Sequence, residues 1–295
     1  MAAISLLWRT RGGQILVRRI LARFSRLNAH ESDKTEGDLI RPDEDDAYTL
    51  FEGTSLRLRN LCMESVENLR VDPGLAPGAF RIRVARSRES RELASSLVRR
   101  RYASRGYEVS SANVRDPSLL TFVAYDNGDL AGTVSLRLDS ANGLAAEALY
   151  KPEIDAFRQP GSRLCEFTRL AIDLNSSSKW VLASLFHTGY LFACKVRGYD
   201  SAIIEVNPRH VAFYQRALRF TIIGPERLNP RVNAPAVLLG IRFETVTAGL
   251  ARYAGRPESS STTRTLYPYG FSAKDEEGIL GRLRAFSESR AEAYA

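Results

Sequence analysis

Apolar and polar residues alternate most regularly between residues 80 and 243. A period of two, typical of a half-buried strand, is found at 80–86. Apolar or extended runs predict further strands at 121–125, 131–138, 165–173, 201–206, 221–223 and 236–243. A helical period is found in 87–105, 147–157, 179–197 and 208–218. In the first of these helices, Leu93, Leu97 and Tyr102 are the predicted inward positions. The order β-α-β-β-α-β-α-β-α-β-β predicts an α/β fold, a mixed twisted sheet with helices on both faces.

Turn residues divide the chain further. Asp126-Asn127-Gly128-Asp129 predicts a hairpin, because Asn-Gly tolerates the positive φ angles of a two-residue turn. Pro-Gly pairs at 73–74 and 77–78 predict a boundary before residue 80. We therefore predict four parts: a basic amphipathic helix at 1–30, a linker with a helical extension at 31–79, the α/β domain at 80–245, and a linker with a C-terminal helix at 246–295. The last helix, 274–291, is expected to pack on the domain or on a second subunit.

The N-terminal segment is rich in arginine and has no acidic residue before Glu31. Within residues 14–27, apolar positions follow helical spacing with arginines on the other face. Such a helix contacts a membrane surface or docks on the protein's own body, and the sequence leaves both open. It has neither the continuous apolar core nor the cleavage site of a signal peptide. We expect a cytoplasmic protein, and the alternative is a protein that also contacts the inner membrane peripherally.

The charge balance points to an acidic partner. The formal net charge is +8 and the pI about 9.6, which suits nucleic acid, an anionic membrane or an acidic carrier protein. No nucleic-acid-binding motif is present, so nucleic acid is not expected. The three cysteines are widely spaced in apolar runs and predict reduced core residues. The three histidines lack ligand spacing, so no metal is expected.

Two charged residues interrupt the apolar segment 164–172. Glu166 and Arg169 are three apart, so on a regular strand they point to opposite faces unless a bulge intervenes. A charge inside such a strand is costly unless it is paired or functional. A structural ion pair with a neighbouring helix and a catalytic role are both open at this point.

A second segment joins an apolar strand to a short helix. Asn207-Pro208 follows the strand, Tyr214 lies seven residues after the asparagine, and Phe220 opens the next extended run. An ordinary strand-to-helix turn with a tyrosine in the core would show the same residue pattern. The pattern also resembles the acyl-CoA site of GNAT-type N-acyltransferases, in which the Asn and Tyr face the thioester.

The two segments together narrow the resemblance. Glu166-x-x-Arg169 resembles a strand shared by acyl-homoserine lactone synthases and long-chain N-acyl amino acid synthases. Asn207-Pro-Arg-His210-x-x-Phe-Tyr214, with 223–225 and 234–239, is similar to the second family over about residues 80–243. One departure is Arg219, where GNAT domains usually place Gly, and it leaves the following turn geometry open.

The turn at 174–179 has no glycine, unlike the pyrophosphate turn of GNAT enzymes that use coenzyme A. A single phosphate on a phosphopantetheine arm could still lie against Ser176, Ser177, Ser178 and Lys179. A plain serine N-cap explains the same residues. The sequence therefore favours an acyl-phosphopantetheine thioester, on acyl carrier protein or coenzyme A, as donor substrate, with no bound cofactor.

The resemblance implies an acyltransferase that joins a long-chain acyl group from acyl carrier protein to the amino group of an amino acid. Glu166 would be the base, Tyr214 the acid for the thiolate, and Arg169 the ligand of the acceptor carboxylate. Asn207, His210 and Thr168 complete the predicted substrate-binding set. Backbone N–H groups at a splay between the strands of Glu166 and Ile204 would stabilise the oxyanion, and the tail would lie in an apolar tunnel near helix 179–197. The alternatives are an acyl-homoserine lactone synthase and a non-catalytic module that binds acyl carrier protein or membrane.

Overall fold

The computed structural model describes residues 48–54, 79–107, 119–173 and 178–292. The predicted helices at 14–27 and 55–71 and the residues Ser176 and Ser177 lie outside these ranges. All described residues belong to one compact unit, residues 43–295. The four-part division of the chain stays a prediction.

Within the described residues, nine strands form the sheet region in the order β1-β2-β3-β4-β5-β6-β9-β7, and β8 pairs with β9 beside it. The strands are β1 (Thr49–Thr54), β2 (Ala79–Val84), β3 (Leu119–Asp126), β4 (Asp129–Leu138), β5 (Leu164–Ile172), β6 (Ser201–Val206), β7 (Thr221–Ile222), β8 (Arg227–Asn229) and β9 (Ala234–Arg242). Neighbours are antiparallel except β5 and β6, which are parallel. The predicted mixed α/β sheet is confirmed.

Six α-helices accompany the strands in the part of the chain that the structure describes. They are α1 (Arg88–Ala103), α2 (Glu147–Phe157), α3 (Ser178–Tyr190), α4 (Pro208–Leu218), α5 (Phe243–Tyr253) and α6 (Ala273–Glu292). Helix α3 continues as a π-helical turn, Leu191–Val196. Two short 3₁₀ segments, Pro257–Ser261 and Tyr267–Tyr269, connect α5 to α6.

The helices cover both faces of the sheet. On one face, Leu97 of α1 packs with Ala171, and Tyr150 of α2 packs with Leu164. The other face carries the larger core, in which Phe167 of β5 packs with α3, α4 and α6. Residues 164 and 167 thus point to opposite sides of β5, as the alternation of a strand requires.

The β3–β4 hairpin confirms the predicted turn. Asp126 pairs with Asp129, and both central residues have positive φ, 55° at Asn127 and 88° at Gly128. These angles match the twist of the flanking strands, which is why an Asn-Gly pair marks the turn so clearly.

One predicted inward position in α1 is wrong. Leu93 is 44% exposed, whereas Ser90, Ala94, Leu97 and Val98 are the buried residues of the helix. The buried stripe is centred near Ala94 and Leu97, so Leu93 lies to one side of it. A single leucine at helical spacing did not reveal which way the stripe faces.

Three described elements, β1, β8 and α5, had no predicted counterpart. Strand β8 is only three residues long, and its leucine is exposed whereas its asparagine is buried, so the polarity of its residues does not indicate a strand. Helix α5 follows β9 directly, and its N-cap residue Arg242 makes no side-chain capping bond. Without a polar break or a capping residue, nothing in the sequence separates the strand from the helix.

The C-terminal helix packs on the domain itself. Ile279, Leu283 and Phe286 belong to the main core, and Arg282 Nε donates to the carbonyl of Leu50 in β1 at 2.6 Å. Leu280, on the same helix, is only partly buried. Of the helices that the structure describes, none combines the length and apolar character needed to cross a membrane.

Candidate active site

The two parallel strands in the middle of the sheet separate along their length. They pair at Leu164 with Ser201, Cys165 with Ala202 and Glu166 with Ile203, and the pairing then ends. Beyond this point β5 pairs with β4, and β6 with β9. The predicted splay is therefore present, and it begins at Glu166.

A large cavity of about 990 Å³ opens at the splay. Its lining comes from β5, β6, α1, α4 and the β8–β9 hairpin, and it includes these predicted site residues: Glu166, Thr168, Arg169, Lys179, Asn207, His210 and Tyr214. Pockets that bind small molecules usually have volumes of about 300 to 1,000 Å³. This cavity therefore lies at the large end of that range, with room for more than one reactant.

A β-bulge brings Arg169 to the same cavity as Glu166. Thr168 pairs with Ser135 and Ala171 with Thr133, so Arg169 and its neighbour oppose the single residue Val134. Arg169 has a φ of 52°, a left-handed conformation unusual for a residue with a side chain. The bulge that the sequence required for a shared site is thus present.

Glu166 is almost completely enclosed, at 1% exposure. Its Oε2 accepts hydrogen bonds from the backbone N–H groups of Ala145, at 2.7 Å, and Ala146, at 3.3 Å. Among the described residues, no cation forms a direct ion pair with it. The structural ion pair considered from the sequence is therefore not the arrangement at Glu166.

Burial raises the pKa of the Glu166 carboxyl to about 7, with a further upward contribution from the charge of Glu205. Arg231 and the hydrogen bonds from Ala145 and Ala146 act in the opposite direction. A carboxyl with a pKa near neutral pH exchanges protons readily under physiological conditions, which is the property a general base needs.

Tyr214 faces the cavity from α4 and is 8% exposed. Its ring makes edge contacts with Phe186, Phe213 and Phe220. Burial raises the pKa of Tyr214 well above that of an ordinary tyrosine, with a smaller upward effect from Tyr102. The hydroxyl is therefore protonated at neutral pH and can donate.

Asn207 begins the helix that carries Tyr214. Its Oδ1 accepts from the backbone N–H of Arg209 at 3.3 Å, and Pro208 occupies the first helical position. Its Nδ2 donates to the carbonyl of Pro235 on β9 at 3.2 Å. Asn207 thus holds α4 at the edge of the cavity, as a helix-capping asparagine does.

His210 lies in a contact that spans the mouth of the cavity. Arg105, just beyond the end of α1, brings Nη1 to 2.7 Å from His210 Nε2, and Arg209 Nε donates to the same nitrogen at 3.3 Å. Arg209 also donates to the hydroxyl of Tyr107 at 2.7 Å. Burial lowers the pKa of His210, and the two arginine charges lower it further. Neutral His210 therefore accepts from both guanidinium groups and links α1 to α4.

Lys179 and Thr168 also line the cavity, and residues 174–177 between them lie outside the described part of the chain. Ser178 opens α3, and its side chain is outside the described part of the structure. The predicted phosphate contact at this turn therefore stays a prediction.

A second cavity, about 40 Å³, lies between α3 and the segment that follows β9. It is lined mainly by apolar side chains, and Phe167 lines both cavities. Its volume is far below that of a long acyl chain, so the predicted tail tunnel beside 179–197 is not open along its length here. His187 borders this cavity at 3% exposure and accepts from the backbone N–H of Phe271 at 3.0 Å.

Several cavity residues were missed from the sequence, among them Arg105, Glu205, Asn229 and Arg231. Glu205 had the same signal as Glu166, a carboxylate within an apolar strand, and could have been selected by the same rule. The other three lie in polar segments, where nothing in the sequence distinguishes them. No group of three or more metal-binding side chains is present among the described residues.

A family model described as N-acyl amino acid synthase FeeM matches residues 93–242, which are 150 of the 295 residues. The structure of FeeM, an N-acyl amino acid synthase from uncultured soil microbes, matches with 29% identity and a TM-score of 0.52, covering 57% of this chain and 92% of that chain. No curated protein sequence matches significantly.

Two further solved structures share lower similarity. The AHL synthase LasI is 14% identical with a TM-score of 0.41, covering 55% of this chain and 89% of that chain. Arabidopsis thaliana NAA60 in complex with acetyl-CoA is 11% identical with a TM-score of 0.43, covering 56% and 99%. Neither likeness carries an argument about activity.

The family match contains both strands of the splay and the helix that carries Tyr214. The protein is therefore an acyltransferase with a mixed α/β fold. Within that class, the chain belongs to the FeeM family of N-acyl amino acid synthases. The family predicted from the sequence is confirmed.

Proposed function

We propose that the protein transfers a long-chain acyl group from a thioester on acyl carrier protein to the amino group of an amino acid. The observation that carries this proposal is the position of Glu166, a buried carboxyl with a pKa of about 7 at the start of the splay, in one cavity with Tyr214. A base for the amine and a donor for the leaving group are the two functions that aminolysis of a thioester requires.

The reaction forms a C–N bond and breaks a C–S bond. The deprotonated amine attacks the thioester carbonyl, and Glu166 accepts the proton that the nitrogen loses, directly or through one water. The oxyanion would be stabilised by backbone N–H groups beyond the last β5–β6 pair, where the two strands no longer pair with each other.

Tyr214 would assist departure of the thiolate. An ordinary thiol has a pKa of about 8.5, below the raised pKa of Tyr214. Full proton transfer from the hydroxyl to the sulfur is therefore uphill, and a hydrogen bond to the developing negative charge is the larger contribution. The edge contacts with Phe186 and Phe220 hold the ring for this donation.

The donor assignment follows from charge and from the turn at 174–179. A basic protein, with cavity-lining arginines at positions 91, 99, 101 and 105, favours an acidic carrier protein. The turn lacks the glycine that close approach of a pyrophosphate favours. Arg169 is proposed to contact the acceptor carboxylate, with Thr168, Asn207 and His210 in the substrate-binding wall.

The direct test is incubation of the purified protein with acyl carrier protein charged with long-chain acyl groups and a mixture of amino acids. Products are identified by mass spectrometry, and acyl-coenzyme A serves as the competing donor. We expect N-acyl amino acids, formed faster from the carrier protein. Absence of such products with either donor would contradict the proposed reaction.

Two variants test the residue roles. Glu166→Gln should lower the rate by about 10² to 10⁴, the usual contribution of general base catalysis, and Tyr214→Phe should lower it by about tenfold or more. Matched controls are Glu92→Gln, on the exposed surface of α1, and Tyr190→Phe, whose hydroxyl contacts Thr247 outside the large cavity. Full activity in Glu166→Gln would exclude the base role.

A further inference from the structure

A second charged cluster lies beside Glu166 and has no part in the steps above. Arg231 Nη2 forms an ion pair with Glu205 Oε2, and Asn229 Nδ2 donates to Glu205 Oε1 at 3.2 Å. Asn229 Oδ1 in turn accepts from the backbone N–H of Arg231 at 2.9 Å and from its Nε at 3.4 Å. All three residues line the large cavity.

The β8–β9 hairpin also has a separate anchor. The hairpin is already tied to α2 by Arg227, which pairs with Glu153 and lies over the ring of Tyr150 at 4.9 Å. Arg227 lies outside the cavity lining, whereas Arg231, four residues later, lies within it. The two arginines of one hairpin therefore face different surroundings.

The guanidinium group of Arg231 is held in place, but not all of its N–H donors are engaged by the described residues. Arginine has five N–H donors in a planar fork, and the described residues engage Nε and Nη2. Nη1 has no partner among the described residues, and 42% of the side chain is exposed. A guanidinium held by the buried Asn229 and the largely enclosed Glu205 is suited to bidentate binding of a carboxylate, because little further ordering is required.

Arg231 is also close enough to the reacting region to affect it. Its charge acts on the carboxyl of Glu166 and, together with that of Arg169, on the hydroxyl of Tyr102. Arg169 on the β5 bulge and Arg231 on the hairpin line the same cavity as Glu166. Arg231 pairs with Glu205, two residues beyond Ile203, which is the β6 partner of Glu166.

We propose that Arg231 binds the α-carboxylate of the acceptor amino acid, as a second ligand in addition to Arg169. Glu205 and Asn229 are positioning residues that orient the guanidinium group of Arg231. This inference rests on the proposed N-acyl amino acid synthesis. It restricts the acceptor to amines with an adjacent carboxylate, since an acceptor without one leaves Arg231 unmatched beside the reacting amine.

The test compares an amino acid with the amine obtained by removing its carboxylate, for example tyrosine with tyramine, using one acyl carrier donor. Arg231→Gln should raise KM for the amino acid by roughly 10- to 100-fold, the usual effect of losing one charged contact. KM for the amine and KM for the donor should not change. Arg231→Lys, which keeps the charge without the fork, should give a smaller rise.

Arg227→Gln is the matched control, with the same charge change on the same hairpin, and circular dichroism establishes whether each variant is folded. An equal loss with tyrosine and tyramine in a folded Arg231→Gln, or no loss with either, would overturn the inference. So would a parent protein that acylates both acceptors equally well, while N-acyltransfer itself would stand. The amino acid of the pair is one that the parent acylates in the mixture assay, so a parent that acylates no amino acid at all contradicts the proposed function as well.

Discussion

At the scale of single residues, Glu166 shows how an enclosed carboxyl becomes a usable base. Enclosure alone favours the neutral form, and the neighbouring charge of Glu205 adds to this effect. The hydrogen bonds from Ala145 and Ala146 favour the ionised form and limit the rise. The balance leaves the pKa of Glu166 at about 7, where both protonation states are populated at physiological pH.

This balance predicts the pH dependence of acyl transfer. With a pKa of about 7, Glu166 loses its base function as the pH falls below that value, so log(kcat/KM) should decrease by about one per pH unit on the acid side. Steady-state measurements of kcat/KM between pH 5.5 and 8.5 test for this decrease. A flat profile across pH 7 would be inconsistent with Glu166 as the base.

The same pKa predicts a stability effect. The pKa of Glu166 in the folded protein, about 7, is above the ordinary value of 4.5, so the folded state binds the proton more tightly and stability is lost as pH rises from about 4.5 through 7. Above pH 8, this shift lowers the free energy of unfolding by about 3 kcal/mol. Glu166→Gln, which can still accept from Ala145 and Ala146, should therefore be more stable than the parent at pH 8 and similar to it at pH 4.5. Urea denaturation at the two pH values checks this.

The choice of Glu166 and Tyr214 as candidates was possible from the sequence, because a charge within an apolar strand and a tyrosine at fixed spacing from a helix-starting Asn-Pro are visible there. The partners that tune Glu166 were not visible. Ala145 and Ala146 are about 20 residues away, and their contribution comes from backbone N–H groups that every residue has.

At the scale of elements, the turn after α4 shows that the arginine in place of glycine is tolerated. Arg219 adopts the left-handed conformation, φ 66° and ψ 24°, in which a glycine usually ends a helix. Its N–H donates back to the helix at the carbonyl of Tyr214. The turn after α4 therefore keeps the left-handed conformation that a glycine would adopt there, although the residue is an arginine.

Arg219→Gly should stabilise the protein by about 1 kcal/mol, because glycine avoids the left-handed strain of a residue with Cβ. Arg219 is exposed, so the change removes little buried surface. Thermal unfolding should show a Tm increase of a few degrees. Arg216→Gly, an exposed position inside the same helix, is the control and should cost about 1 kcal/mol.

Helix α6 lies beyond the residues of the family match, yet it completes the main core. Leu283 is fully buried, so Leu283→Ala should reduce the free energy of unfolding by about 2 to 5 kcal/mol. Leu280→Ala, on the same helix but only partly buried, should cost much less. Equal losses measured by chemical denaturation would show that α6 does not pack as described.

At the scale of the whole molecule, the positive charge is a statement about partners rather than about the fold. If the donor is an acidic carrier protein, raising the ionic strength from about 50 to 300 mM should raise KM for the carrier donor several-fold, since long-range attraction is screened. KM for the neutral amino acid should change little. A carrier KM independent of salt would argue against electrostatic docking.

The sequence by itself determined the order of the elements between residues 79 and 242 with the exception of β8, the family, and the choice of Glu166 and Tyr214 as candidates for the proposed chemistry. These features are local, because strand alternation, helix caps and the Asn-Gly turn all depend on neighbours in the chain. The tertiary structure decided where β5 and β6 separate, that a bulge turns Arg169 into the cavity of Glu166, and that Arg231 from a distant hairpin lies beside it. These depend on contacts between segments far apart in the chain, which no spacing along the sequence records.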